Sequence, residues 1–266
     1  MEFQQIRGAT SIVTFGGLRF LIDPFFAPKG STPPIPSPYN DFPNPLAALP
    51  LPVEEIVRVD AAIVTHMHHF DHFDEHAARA LPKSLPIFVQ SEKEAADMAA
   101  LGFEKVAALR DEGVAFGSVT LYRTEALHGA GEHSRRMYEA FGLPGEASGC
   151  VFKGAGEPVF YLAGDTVWFE GVAEALDRFR PGVVALNAAW AQFPDGTPIL
   201  MGPDDIRTTA EHAPQARFIA THMDAVNHAR LDRAGLRAFL KECGLEGRFS
   251  IPEDGESVRF EVQEGC

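Results

Sequence analysis

Cysteine, positive charge and long apolar runs are all scarce in this chain. Its 266 residues include three cysteines, Cys150, Cys243 and Cys266, in no CxxC or CxxH spacing. One is left over however they are paired, which fits a reducing compartment better than a disulfide framework. Lysine and arginine number 23 against 37 acidic residues, a formal net charge of −14 and a pI near 5.1. A nucleic-acid backbone or an anionic membrane surface is therefore disfavoured as the main partner. No stretch of about 18 uninterrupted apolar residues occurs, which argues against a membrane span. The opening MEFQQIRGATSIV has no basic segment leading into an apolar run, so no signal peptide is read and the expected setting is cytoplasmic.

What is present is an ordinary globular balance, 45% hydrophobic and 23% charged. The length suits a single domain over residues 1–266, able to bury roughly three quarters of its unfolded surface. Ser11–Thr14, a Gly16-Gly17 turn and Leu18–Ile22 read as a hairpin stopped by Asp23-Pro24. Residues 28–52 hold nine prolines, too many for helix or central strand. The aromatics embedded near them suggest a loop packed on the body as a pocket wall. Strands are expected at 60–65, 87–89, 119–126, 149–152, 158–163, 183–186, 218–220, 248–251 and 257–262. Helices are expected near 74–81, 91–102, 168–179, 203–212 and 232–242, the second opened by the capping box Ser91-Glu92-Lys93-Glu94. The pattern suggests two sheets with helices outside. Ala62–Met67 and Phe218–Met223 echo each other, each a buried strand delivering Thr-His-Met at its carboxyl end.

The densest chemistry is Thr65-His66-Met67-His68-His69-Phe70-Asp71-His72-Phe73-Asp74, with four of the chain's ten histidines. Imidazole and carboxylate together suit zinc and its first-row neighbours. A run this short cannot complete two coordination shells, and further candidates stand at strand ends: His128, Asp165 in Ala163-Gly164-Asp165-Thr166, and His222. Asp23 and Asp74 are candidates to fix the outer nitrogens of ligating imidazoles. Asn227-His228 reads as a substrate-polarising pair. Trp168, Phe169, Trp190 and Phe193 are candidate pocket walls, and Arg135-Arg136 a candidate anion contact.

With Leu21-Ile22-Asp23-Pro24, the Thr65–Asp74 cluster, Leu162–Thr166 and Thr221-His222-Met223, the chain resembles the metallo-β-lactamase-fold hydrolases. The likeness is to the cytoplasmic branch with ascorbate-6-phosphate lactonase-like and N-acylphosphatidylethanolamine phospholipase D-like proteins. The resemblance implies an α/β fold, a four-layer αββα sandwich with two divalent metals at one edge of the sheets, zinc first and manganese second. It implies that His66, His68 and His128 hold one ion, that Asp71, His72 and His222 hold the other, and that Asp165 bridges them.

This chain departs from the family's H-x-H-x-D-H, because His69 and Phe70 separate His68 from Asp71. Reading from the left keeps His66 and His68 as the first pair with a bulge behind them, and His69 turned elsewhere. Reading from the right makes His69 the second histidine and puts Met67 first. The left-hand register is preferred, since a thioether suits soft metals. The implied chemistry is hydrolysis of a lactone, ester or phosphodiester of a small metabolite by a metal-bridging hydroxide, with Asp71 or His228 supplying the leaving-group proton. An iron-dependent redox enzyme on the same scaffold and a non-catalytic metal or ligand sensor are the alternatives. A homo-oligomer is compatible with all three.

Overall fold

Alternation along the strands decides the architecture of the computed structural model, which describes residues 1–261. β1 (Glu2–Arg7), β2 (Thr10–Phe15) and β3 (Leu18–Ile22) form an antiparallel meander. β4 (Ala61–Val64), β5 (Ile87–Val89) and β6 (Val106–Ala108) extend it in parallel. α1 (Val53–Ile56), α2 (Glu75–Ala80) and α3 (Glu92–Ala100) lie in the connections.

The second sheet opens with antiparallel β7 (Val114–Phe116), β8 (Val119–Leu127) and β9 (Glu146–Gly154), then β10 (Phe160–Leu162). β11 (Val183–Asn187), β12 (Arg217–Thr221) and β13 (Phe249–Ser250) follow in parallel. α4 (Gly131–Phe141), α5 (Glu170–Phe179), α6 (Pro203–His212) and α7 (Arg233–Glu242) are its connecting helices. β14 (Ser257–Arg259) returns to pair with β1. The sheets run β14-β1-β2-β3-β4-β5-β6 and β13-β12-β11-β10-β9-β8-β7, seven strands each.

Successive residues of one strand serve different layers. Phe20 and Ile22 join Phe152, Phe160, Leu162 and Ile219 between the sheets, while Leu21 packs outward with Ala77, Leu81 and Met98. In the other sheet Val183 and Ala185 face inward, and Val184 and Leu186 meet Val172, Leu176, Leu236 and Leu240 of the helices. The result is the expected αββα sandwich. Phe152 is fully buried against Phe15, Phe20 and Phe160, so truncating it to alanine would cost about 3–5 kcal/mol.

Differences from the sequence expectations have local causes. β1 escapes notice because Gln4, Gln5 and Arg7 interrupt its apolar pattern; Gln5 and Arg7 are nevertheless buried and bonded to Gly8, Phe25 and Ala47 carbonyls. α4 occupies a stretch expected to be strand-rich. Its i,i+4 pairs Arg135–Glu139 and Arg136–Glu132 and the left-handed Gly142 at its end make it a helix. In the last expected strand, position 262 lies outside the described residues, as does Cys266. Among the described residues no helix is long and apolar enough to cross a membrane.

Candidate metal centre

The centre assembles at the carboxyl ends of four strands, three of them with a parallel neighbour, where strand ends and loops leave side chains free to converge. β4, buried throughout, delivers Thr65 and His66. β8 delivers His128, β10 leads to Asp165, and β12 leads to His222. Gly164 makes the turn before Asp165 with φ +71, and a Cβ there would lie 2.4 Å from the Ser148 carbonyl oxygen. Only glycine fits.

Hydrogen bonds to the outer ring nitrogens aim the inner ones at a common point. Asp23 Oδ2 lies 3.0 Å from His72 Nδ1. Asp23 Oδ1 also accepts the Thr65 N–H at 2.7 Å. The Thr65 hydroxyl donates to the same carboxylate at 2.9 Å, and its oxygen lies 3.0 Å from His66 Nδ1. His128 Nδ1 donates to the Ile199 carbonyl at 2.9 Å, and His69 Nε2 to that of Pro144 at 3.0 Å. Inward, Asp165 Oδ2 lies 3.1 Å from His72 Nε2, 3.5 Å from His128 Nε2 and 3.7 Å from His66 Nε2. Asp165 Oδ1 is 3.7 Å from His222 Nε2, which is 3.5 Å from Asp71 Oδ2. Asn187 Nδ2 donates to Asp165 Oδ1 at 2.5 Å.

The electrostatics match a cation site. Burial, with His72 and His69 beside it, holds the His66 pKa well below the usual imidazole range. Burial also lowers His128, and pushes His69 and His228 down to about 4. These rings stay neutral at pH 7 and keep their lone pairs. Burial disfavours charge on His72 too, but Asp165 and Asp23 at its two nitrogens outweigh it and hold its pKa well above normal. Against burial, His72, His222 and His128 hold the Asp165 carboxyl well below the usual range, and His72 and His222 lower that of Asp71. His66 Nε2 is buried with no hydrogen-bond partner. His72 Nε2 and His222 Nε2 lie 3.1 Å apart. Nitrogens so placed need a proton or a metal between or beside them, so the donor set fits divalent cations.

Three groups converge closely: His66 with His69 and His128, His66 with His72 and Asp165, and Asp71 with His72 and His222. The preferred register is thereby corrected. His69 joins His66 and His128, whereas His68, at the edge of the cavity, swings away from that group toward α3, its Nε2 3.4 Å from Asp97. Behind the expected bulge the chain closes a turn over 69–73, in which the His72 and Phe73 N–H groups donate to the His69 carbonyl and so fix the backbone from which the ring reaches the cluster. Met67 stays out, packed with the core beneath α2 and α3.

Other candidates separate cleanly. Asp23 is the expected support of an imidazole. Asp74 is not: its carboxylate caps α2 through the Ala77 N–H and accepts the Phe26 N–H. His228 lines the cavity with its Nδ1 buried and unpaired. The Asn227 amide bonds to loop residues instead, so it polarises nothing. Phe193 lines the cavity, whereas Trp168 packs on His212 and Trp190 under Arg230. Phe169 packs against the core cluster of the second sheet's outer face. Arg135 and Arg136 form exposed pairs within α4. Tyr138 was not anticipated. Its ring lies against His69 and His128, and burial near Asp165 and Asp71 raises its pKa, so it remains a phenol. Nothing in α4 marks one tyrosine as special before the helix is placed.

Residues 18–223 match the beta-lactamase superfamily domain. The chain belongs to that superfamily. Its two sheets and outer helices are the metallo-β-lactamase sandwich. The UPF0173 protein YddR of Bacillus subtilis is 40% identical to this superfamily member over 98% of the chain and 100% of its own length. The crystal structure of an isothiocyanate hydrolase from Delia radicum gut bacteria superposes with a TM-score of 0.92 at 39% identity, covering 98% of this chain and 100% of that one. A possible metal-dependent hydrolase from Veillonella parvula gives a TM-score of 0.89 at 38% identity, covering 97% and 98%. Superfamily membership and the converging His/Asp groups support a metal-dependent hydrolase.

Proposed function

We propose that this chain is a dinuclear, zinc-dependent hydrolase of small uncharged electrophiles, isothiocyanates first and esters or lactones second. The carrying observation is the cavity above the ligand groups. It holds about 350 Å³, and Ile35, Phe70, Tyr138, Phe141, Phe193 and Leu200 are among its walls. Among the described residues no lysine or arginine lines it. A phosphodiester would enter without a protein cation to meet its charge, which disfavours that part of the sequence expectation. The 39% identical isothiocyanate hydrolase supports the first substrate class. A cavity reaching His69, Asp71, His128, Asp165 and His222 at once supports catalysis over sensing.

His66, His69 and His128 would hold one ion, Asp71, His72 and His222 the other, with Asp165 between them. Bound ions supply Lewis acidity and water activated near neutral pH. The chain's own part is positioning and proton transfer. His228, neutral because burial lowers its pKa to about 4, can take a proton from the attacking water and return it to the substrate nitrogen. Water adds across R–N=C=S to give a thiocarbamate, which breaks its C–N bond to release the amine and carbonyl sulfide. Asp71, held ionised among imidazoles, serves as a ligand and not as the resting acid. The apolar walls keep bulk water from the reacting carbon.

Metal analysis of the purified protein, with a panel of isothiocyanates, nitrophenyl esters, lactones and a bis-nitrophenyl phosphate, tests this reading. Two zinc ions per chain and amine release from isothiocyanates are expected, and Asp165→Ala should lose the pair while the fold persists. Preference for the phosphodiester, or full dinuclear occupancy in Asp165→Ala, would refute it.

A further inference from the structure

Between His222 and His228 sits a residue whose polar groups all point away from the centre. Asn227 is fully buried, and its side-chain amide makes all four hydrogen bonds open to it. Oδ1 accepts from the Ile35 N–H at 2.9 Å and from Asn44 Nδ2 at 2.8 Å. Nδ2 donates to the Ile35 carbonyl at 2.8 Å and the Asn40 carbonyl at 3.1 Å. Its main chain adds two more, donating to Asn44 Oδ1 at 2.8 Å and accepting from Asn40 Nδ2 at 3.1 Å. Every partner belongs to the proline-rich segment, residues 28–52.

That segment has little means of holding itself. Its prolines remove backbone donors, and within it the only ladder-type pairing among the described residues is the bridge Thr32–Asn44. Yet Ile35 and Pro36 line the cavity over the metal-ligand groups, as does His228 beside Asn227. The same amide that bonds Ile35 on both its N–H and its carbonyl is thus one peptide bond from a cavity-lining histidine.

We propose that Asn227 is a specificity-determining positioning residue. It clasps the proline-rich strap to the loop after β12, so that Ile35 and Pro36 stand as a fixed wall and set the size of substrate admitted. The clasp itself rests on geometry alone. The substrate side rests on the hydrolase reading above.

The test compares zinc-loaded wild type with Asn227→Ala, Asn227→Asp and Asn44→Ala. Asn227→Asp keeps the acceptor but sets a carboxylate oxygen against the Ile35 and Asn40 carbonyls, so it should loosen the strap as alanine does. Hydrogen exchange over residues 30–46 should rise about tenfold or more in each variant, with exchange at 62–72 and zinc content unchanged. Unchanged exchange at 30–46, or loss of zinc with exchange rising throughout, would overturn the clasp. In kinetics, Asn227→Ala should narrow the ratio of kcat/KM between methyl and benzyl isothiocyanate about tenfold, mainly through KM. An equal loss on both substrates would overturn the specificity role. Wild type inactive on both, with the strap loosened in the variants, would sink the isothiocyanate reading and leave the clasp standing.

Discussion

The chain leaves β4 and β12 through the same three residues, Thr-His-Met, yet the two exits are held by different physics. In the first, one carboxylate does most of the holding. Asp23 receives the Thr65 N–H and hydroxyl and faces His72 Nδ1 at 3.0 Å. In the second, neutral groups hold the Thr-His step: the Thr221 hydroxyl donates to Gln5 Oε1 at 2.6 Å and the His222 N–H to the Gly8 carbonyl at 3.0 Å, with charge entering only further on, where Asp224 accepts from Arg233. His222 also sits at φ +67, and its Nδ1 is buried without a partner. The first loop is set by charge before any ion arrives. The second stores backbone strain of about 1–3 kcal/mol, which metal binding at Nε2 would offset.

The largest effect should come from within the first loop. Because His69 and not His68 meets His66 and His128, His69→Ala should lose at least one ion and lower activity by roughly 10²-fold or more. His68→Ala, which removes a half-exposed ring near Asp97, should keep both ions and most activity. Metal content and kcat/KM of the two variants, measured together, decide it; the reverse order would restore the left-hand register.

A smaller contrast separates the two supports. Asp23→Asn keeps the shape but removes the charge that fixes His72, and should weaken zinc affinity about 10–100-fold. Thr221→Val removes a neutral hydrogen bond, and should cost about 1 kcal/mol of stability with zinc affinity little changed. Chelator competition and urea unfolding on both variants read this out. Equal losses of zinc affinity would dissolve the distinction between the loops.

The strand ends around the candidate centre were legible because β4, β10 and β12 are short, mostly apolar runs followed within three residues by a ligand type. Spacing could not resolve which of His68 and His69 turns inward. That depends on a turn closed by hydrogen bonds to the His69 carbonyl and on Pro144, 75 residues away, accepting from its ring. Asp23 was readable only as a candidate, since a carboxylate at a strand end before proline serves a turn as readily as an imidazole. Asp74, the other candidate, is drawn off by the helix it caps. The roles of Tyr138 and Asn227 depend on contacts with distant chain segments, which periodicity does not report.

The last contrast is in the pH dependence of the metal-free chain, and it again sets the loops against each other. His228, in the second loop, has its pKa lowered by burial to about 4 from an ordinary 6.5. Unfolded, it binds a proton below 6.5; folded, it resists until about 4. Its contribution to stability is therefore complete above pH 6.5 and fades as the pH falls toward 4. His72, in the first loop, is raised by Asp165 and Asp23 despite its burial, so its contribution is complete below 6.5 and fades as the pH rises through its folded value. With zinc chelated, wild type should lose more stability from pH 7 to 5 than His228→Asn does, by on the order of 1–2 kcal/mol. Urea midpoints for the two proteins at the two pH values give the comparison. Equal acid losses would mean that His228 is already charged in the folded chain, and would remove its part as the neutral proton acceptor.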